Sequence, residues 1–420
     1  MMRFPLFVLT ALCFSWSSAD AADYKYPYHD PYLATATTAI LDGDGLAYRP
    51  KRQVLHVPRL PGRDGLPLLE GRDELSVAVY RQRHRAPLLF ILSGIGANPY
   101  FGLATYFAGL LYREGAHVVI LPSPMTWNFA LAASRSGAPG YTPDDARDLY
   151  AAMQSILARL RTQYGLEITR IHFLGASLGA LEGAYLSVID AEERKIGMEK
   201  YLLINPPLDL SYAFTKVDEW DKFQDKFGRD KSKKLLAKAL GIVESFSKEK
   251  RDDPTVFAKV AKAFAGFTTE ELQFLIAEDF QSLLPELVYV TEAIRDRNVL
   301  KTPKDQGRKR LQEAKGITFS DYSHKIALPL WRLQAAEPQA DLDYFWKRGS
   351  LTPILDRLRG NPNVQFMHNA DDFIARRKSI EELKDGLGDQ VTLYPYGGHL
   401  GNLWYPENKN YVLRFFSTPR

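Results

Sequence analysis

The stretch FLGASLGALEG (residues 173–183) holds one serine with a glycine two residues away on each side. Gly175-Ala176-Ser177-Leu178-Gly179 fits G-x-S-x-G, a pattern short enough to arise by chance, so its surroundings decide its meaning. The residues leading into it, RIHFLG (170–175), read as an apolar strand, and a helix is expected from Leu178. A serine on the sharp turn between a strand and a helix is held in a strained backbone conformation with its hydroxyl exposed. The glycines then have a steric purpose, because larger neighbours would collide with the turn. The same letters also suit a packed small-residue junction with no chemistry. What separates the two readings is whether a base and an acid follow.

The segments on either side give the turn its frame. ELSVAVYRQ (74–82) alternates apolar and polar residues as a half-buried strand does, whereas PLLFILSG (87–94) is a continuous apolar run, the signature of a strand buried on both faces. A helix over 99–113 and a strand at HVVILP (117–122) follow. Thr142-Pro143-Asp144-Asp145 has the composition of a helix start, with Thr142 as the capping residue, and Leu149, Met153, Ile156, Leu157 and Leu160 continue that helix as one apolar stripe. KYLLINPP (200–207) is the strand after the serine's helix. Strands alternating with helices of this length predict an α/β fold with a mostly parallel central sheet flanked by helices.

Between 209 and 350 the strand signal stops. Trp220, Phe223 and Phe227 are expected on one helix face; Val256, Phe257, Val260 and Phe264 form another stripe; Thr268 and Glu271 have capping-box spacing. The α/β alternation resumes at NVQFMHNADD (363–372) and QVTLYPYGGH (390–399), and a last helix runs toward Phe416. The expected organisation is an α/β core (51–208 and 351–420) with a helical cap or lid (209–350) inserted between the sixth and seventh core strands.

Ahead of the core, residues 1–21 have the form of an export signal: Arg3, an apolar run from Phe4 to Phe14, and Ala19-Asp20-Ala21 as a cleavage site. The chain is therefore expected to be exported, to the periplasm or outside the cell. Its one cysteine, Cys13, falls inside that segment, which excludes a disulfide framework, a zinc–cysteine site and a cysteine nucleophile from the mature chain. Residues 22–50, rich in Tyr, Pro and Thr, read as an irregular arm. Its DGDG (42–45) is a turn, since an EF-hand register would put Ile40 and Lys51 at ligand positions. A formal charge of +4 over 420 residues is too slight for a nucleic-acid binder. No HExxH, phosphate loop or dinucleotide glycine pattern is present, so neither a metal nor a cofactor is expected.

A serine hydroxyl needs a base to take its proton. Of the eight histidines, His29 lies in the arm, His56, His84 and His117 sit in or beside early strands, His172 and His368 lie within strands, and His324 is in the insertion. His399 differs. It sits in the glycine-flanked loop GGHLGN after the last strand, where an imidazole can swing over the end of a sheet. The base in turn needs a carboxylate, and MHNADDFIA supplies Asp371 and Asp372 at the end of the preceding strand. Asp372 is the favoured partner; Asp371 and Asp209, just past KYLLINPP, are the alternatives. Backbone N–H donors for a developing oxyanion are expected from Leu178, at the helix start, and from Ile95 in SGIGANPY, between Gly94 and Gly96.

Taken together, GASLGA, NADDFIA and GGHLGN in the order Ser…Asp…His resemble the three catalytic segments of the α/β-hydrolase superfamily, from about residue 74 to the C-terminus. One departure is Ser93-Gly94 where members often have His-Gly before the oxyanion residue. The resemblance implies an acyl-serine intermediate and hydrolysis of an ester, thioester or amide, with an exported esterase or lipase-like enzyme as the leading expectation. A peptidase or an acyltransferase would use the same triad, and a fold kept only for binding an envelope partner would not need it. The expected partner is a small-molecule or lipid-like acyl substrate, with a peripheral membrane contact through the cap as a further expectation, based on the basic residues and aromatics of 216–251.

Overall fold

Apolar runs with no polar face have to be covered on both sides, and the chain does this with one sheet between two layers of helices. The computed structural model describes residues 24–41, 51–66, 69, 74–95, 99–100, 102–246, 249, 253 and 255–417. The expected export signal with Cys13 and the DGDG turn at 42–45 lie outside the described residues. The strands are β1 (Gln53–Val57), β2 (Leu75–Tyr80), β3 (Ala86–Leu92), β4 (His117–Leu121), β5 (Ile168–Ala176), β6 (Lys200–Ile204), β7 (Val364–Asn369) and β8 (Val391–Tyr394). They form a single sheet in the order β1-β2-β4-β3-β5-β6-β7-β8. The β1–β2 and β2–β4 pairs are antiparallel and every later pair is parallel. All five residues of β4 and of β6 are buried, as expected of strands covered on both faces.

β1 was not among the expected strands. Its alternation of exposed Val54 and His56 with buried Leu55 and Val57 marks an edge strand with one wet face. The arm also departs from the expectation of irregular chain. Asp30 caps a short helix, Pro31–Ala36, by accepting the N–H groups of Tyr32 and Leu33, and Pro31 stands where a helix tolerates it best. Tyr24, Tyr26 and Tyr28 are buried, and each hydroxyl donates to a partner far along the chain: Asn408, the Gly401 carbonyl and the Phe257 carbonyl. A buried phenol keeps its body in the core and has to satisfy its hydroxyl, which makes the arm a fitted piece.

The helix expected at Thr142 forms as Thr142–Tyr164, with its cap one residue earlier at Tyr141. The Asp145 carboxyl accepts the Gly140 N–H at 2.6 Å, tying the residue before the cap back to the helix's first turns, and the Tyr141 side chain makes no cap bond. The capping box at Thr268 and Glu271 forms with both reciprocal bonds.

Between β6 and β7 the described residues are helical, from Leu210–Asp221 to Leu355–Leu358, with no strand. Trp220, Phe223 and Phe227 do not share one outward face. The helix that holds Trp220 ends at Asp221, and Trp220 is buried with its ring 5.6 Å from Tyr32 and 5.1 Å from Phe373. Phe223 and Phe227 open the next helix, Phe223–Phe246, and stack on one another at 6.0 Å. That helix breaks at Gly228, whose φ of 73° and ψ of 159° lie outside helical space. Trp220 is thus part of the core, whereas Phe223 and Phe227 are half-buried against it.

At the centre of the molecule, the helix Leu178–Glu193 is buried along most of its length and packs directly on β5, β6 and β3. A methyl group on Gly179 would stand 2.2 Å from the Leu92 carbonyl oxygen and 2.6 Å from that of Ser93. We expect Gly179→Ala to lower stability by about 1–3 kcal/mol or more, because backbone cannot yield as a side chain does. The urea midpoint checks this, and an unchanged midpoint would mean that helix and sheet can part without loss.

Candidate active site

Parallel pairing puts the C-terminal ends of β3, β5, β6, β7 and β8 along one edge of the sheet, and the chemistry is strung along it. β3 and β5 are neighbours with Leu92 beside Gly175, so the turn after β3 lies against the turn after β5. Ser177 occupies that second turn with φ 56° and ψ −128°, a conformation that costs roughly 1–3 kcal/mol for a non-glycine residue. Its N–H is held by the Ile204 carbonyl at 2.9 Å, and its own carbonyl starts the helix by accepting the Ala180 N–H at 2.9 Å. Gly94 lies against it so closely that a Cβ there would stand 2.6 Å from Ser177 Cβ and 2.7 Å from its Oγ.

His399 arrives from the loop after β8. Its Nε2 is 2.8 Å from Ser177 Oγ, and its Nδ1 is 3.0 and 3.2 Å from the two carboxylate oxygens of Asp372. An ionised carboxylate only accepts, so Nδ1 carries the proton and donates it, leaving Nε2 bare to accept from the serine hydroxyl. Asp372 is buried. Burial acts to raise its pKa, but His399 beside it, with His368 and the Asn205 amide, outweighs this and holds the carboxyl below its ordinary value.

The three acids considered from sequence therefore part company. Asp371 points away from the imidazole and accepts the N–H groups of Gly397 and Gly398 at 3.1 and 2.9 Å, holding the histidine's loop; burial pushes its carboxyl up to about 6. Asp209 caps the helix Leu210–Asp221 through Tyr212 N–H and pairs with Arg376. Neither is recorded in contact with His399.

Ile95 and Leu178, the two expected backbone donors, line one small apolar pocket together with Ser177, Phe214 and Phe280. Leu178 is the first residue of its helix, so its N–H has no partner within the helix and is free to face an anion. Gly96 lies outside the described residues.

Three residues near the site carried no expectation from sequence. Asn205, directly after β6, donates its amide to Asp372 at 2.7 Å and has φ 48°, a left-handed conformation that asparagine tolerates better than most residues. Asn369 at the end of β7 donates to the Gly398 carbonyl at 2.8 Å. Thr35, in the arm, accepts the His399 backbone N–H at 2.8 Å. An asparagine at the end of a core strand, just before Pro206-Pro207, is the one available sequence signal. Nothing local marks Thr35. The other histidines stay away from the serine: His368 is buried in β7, with burial lowering its pKa, and His172 packs near Phe416.

A cleft of about 640 Å³ opens at Ser177 and His399. Its walls are mostly apolar: Leu236, Ala239, Leu240 and Val243 from the helix Phe223–Phe246, Leu275 and Phe280 from the helix Thr269–Gln281, and Thr35, Thr38 and Ala39 from the arm. No group of three or more metal-ligating side chains occurs among the described residues.

The acids can be told apart by substitution. Labelling of Ser177 by a fluorophosphonate should slow about 10³–10⁴-fold in Asp372→Asn, which leaves the imidazole in the wrong tautomer. Asp371→Asn and Asp209→Asn should slow it by about 10-fold at most, since each keeps an amide oxygen that can accept and neither carboxyl bonds to the imidazole. Equal losses at Asp371 and Asp372 would overturn the distinction.

Neither the known family profiles nor the curated proteins yield a sequence match to this chain. Among solved structures it is similar to brefeldin A esterase, a bacterial homologue of human hormone sensitive lipase, at 14% identity over 93% of this chain and 86% of that one, with a TM-score of 0.42. It is also similar to a hyperthermophilic esterase from the archaeon Pyrobaculum calidifontis (14% identity, 92% and 87% covered, TM-score 0.40). Proline iminopeptidase of Mycobacterium smegmatis is a third (16% identity, 87% and 97% covered, TM-score 0.40). These overlaps are loose, and the chain's own topology is what identifies it. A strained serine heads the central helix of a mostly parallel sheet, and acid and histidine follow from the last two strands: this is the α/β-hydrolase fold.

Proposed function

We propose that the protein is a serine hydrolase that cleaves carboxylic esters with a long apolar portion, through an acyl-serine intermediate. The single observation that carries the reading is the unbroken line of contacts from Ser177 Oγ through the His399 imidazole to Asp372, opening onto an apolar cleft. In this reading Ser177 Oγ bonds to the ester carbonyl carbon as its proton passes to His399 Nε2. The backbone N–H groups of Leu178 and Ile95 receive the oxyanion, a contribution of about 10²–10³ in rate per donor. As the tetrahedral intermediate collapses, the ester C–O bond breaks and the imidazolium gives its proton to the departing alcohol. Water then attacks the acyl-serine, losing a proton to His399, and the serine leaves with that proton. Asp372 stays ionised throughout and holds the imidazolium.

The cleft supports the substrate class. Apolar surface in a preformed cleft favours a hydrocarbon chain by about 0.8 kcal/mol per buried CH₂, or roughly fourfold in affinity for each. We further propose export directed by residues 1–21, resting on the charged, apolar and small-residue segments of that stretch.

The test is a panel of p-nitrophenyl esters from two to sixteen carbons, about the span a cleft of this kind can discriminate. kcat/KM should rise with chain length, and Ser177→Ala should lose about 10⁴-fold or more. Ala239→Trp, which fills the cleft away from the serine, should move the preference to shorter chains with little effect on the shortest ester. A wild-type protein that neither turns over any ester nor labels with a fluorophosphonate would overturn the reading.

A further inference from the structure

We infer that Thr35 positions the catalytic histidine, so that the N-terminal arm is a working part of the active site. The inference rests on the serine-hydrolase reading and concerns how His399 is held, for which the triad contacts alone give no account.

His399 lies in a loop where regular structure has ended, and the backbone groups around it bond to side chains and to a turn partner. Asp371 accepts the N–H groups of Gly397 and Gly398; Asn369 donates to the Gly398 carbonyl; the Gly397 carbonyl accepts from Gly401 N–H. The His399 N–H is left, and it donates to Thr35 Oγ1 at 2.8 Å. The direction is fixed by count. A threonine hydroxyl has one proton, and Thr35 spends it on the Pro31 carbonyl at 2.8 Å, so its oxygen presents lone pairs to the loop. Thr35 is 5% exposed and His399 2%, so water is a poor substitute for either bond.

The seat is close-fitting. A Cβ on Gly398 would stand 2.1 Å from the Pro31 carbonyl oxygen, and one on Gly401 would stand 2.3 Å from the Ala34 carbonyl carbon. The arm helix and the histidine loop therefore meet backbone to backbone, with Thr35 bonded in the middle. The bond is made at the histidine's own main chain, so it sets where the side chain starts. An imidazole anchored there has to reach Ser177 Oγ at 2.8 Å on one side and Asp372 on the other, and a displacement of about 1 Å is worth roughly 10²-fold in rate. Asp371 and Asn369 belong to the acid's own strand end. Thr35 comes from the opposite end of the sequence, which makes the arm's docking a condition for a competent histidine.

Thr35→Val keeps the shape and removes both hydrogen bonds; Thr35→Ser keeps the oxygen. With a p-nitrophenyl ester and with fluorophosphonate labelling of Ser177, Thr35→Val is expected to lose about 10–100-fold in kcat and in labelling rate. KM should move by less than about threefold, since the cleft wall is preserved. Thr35→Ser should recover most of both rates. A general loosening of the arm would instead raise KM through Thr38 and Ala39 in the cleft wall, and would not be repaired by serine. Should Thr35→Val fail to fold, Thr35→Ala removes the same oxygen without a branched side chain and is read in the same way. A folded Thr35→Val with wild-type kcat, or a Thr35→Ser as slow as Thr35→Val, overturns the inference. A wild-type protein that does not label overturns the hydrolase reading itself, a result distinct from either.

Discussion

Where β3 ends beside β5, backbone has to touch backbone, and the remainder of the site hangs on that contact. A Cβ at 94 would strike the side chain of Ser177, and one at 179 would strike the carbonyls of Leu92 and Ser93. With hydrogen in both places, the head of the central helix sits directly over the end of β3. That closeness keeps Ser177 in its strained conformation, because relaxing the turn would drive the helix off the sheet. It also brings the first N–H of a helix to the same point as the serine oxygen, so the two groups that the proposed mechanism needs together arise from one steric condition.

The parallel register then decides which groups can join them. Successive strand ends stand about 4.8 Å apart, and the four from β5 to β8 lead in turn to Ser177, Asn205, the Asp371–Asp372 turn and the loop of His399. The loop after β8 carries the His399 imidazole back across that distance to Ser177. Asn205 fills the intervening position and gives Asp372 a donor, offsetting part of what burial takes from its charge. His368 crowds the same acid, its Nδ1 4.0 Å from Asp372 Oδ2, while burial acts to lower the pKa of its own imidazole.

How much of this was readable from sequence follows from how local each determinant is. Ser177 and its helix announce themselves because glycine spacing, an apolar strand and a helix start all fall within about a dozen residues. The Thr268 capping box was readable for the same reason, its two bonds closing over three residues. Choosing Asp372 over Asp371 was harder: adjacent carboxylates share composition and neighbours, and only the path of the turn decides which faces the imidazole. Trp220 was misjudged because periodicity ran across Asp221 and Lys222 into a second helix. The arm was underread because three tyrosines and a capped six-residue helix gain their meaning from residues 257, 401 and 408. Tertiary partners of that kind leave no local pattern.

The tyrosine clasp also bears on when the protein comes to life. Tyr24 bonds to Asn408, Tyr396 donates to the Tyr24 carbonyl, and Thr35 meets His399, closing loops of 384, 372 and 364 residues. Each such contact closes a long loop, and the entropy of that closure has to be met before the bond can contribute. The serine's turn, by contrast, is built from residues close in sequence on β5 and the helix that follows. Under the serine-hydrolase proposal, a copy whose two described ends had not yet met would hold Ser177 in its turn without the Thr35 bond that seats its histidine.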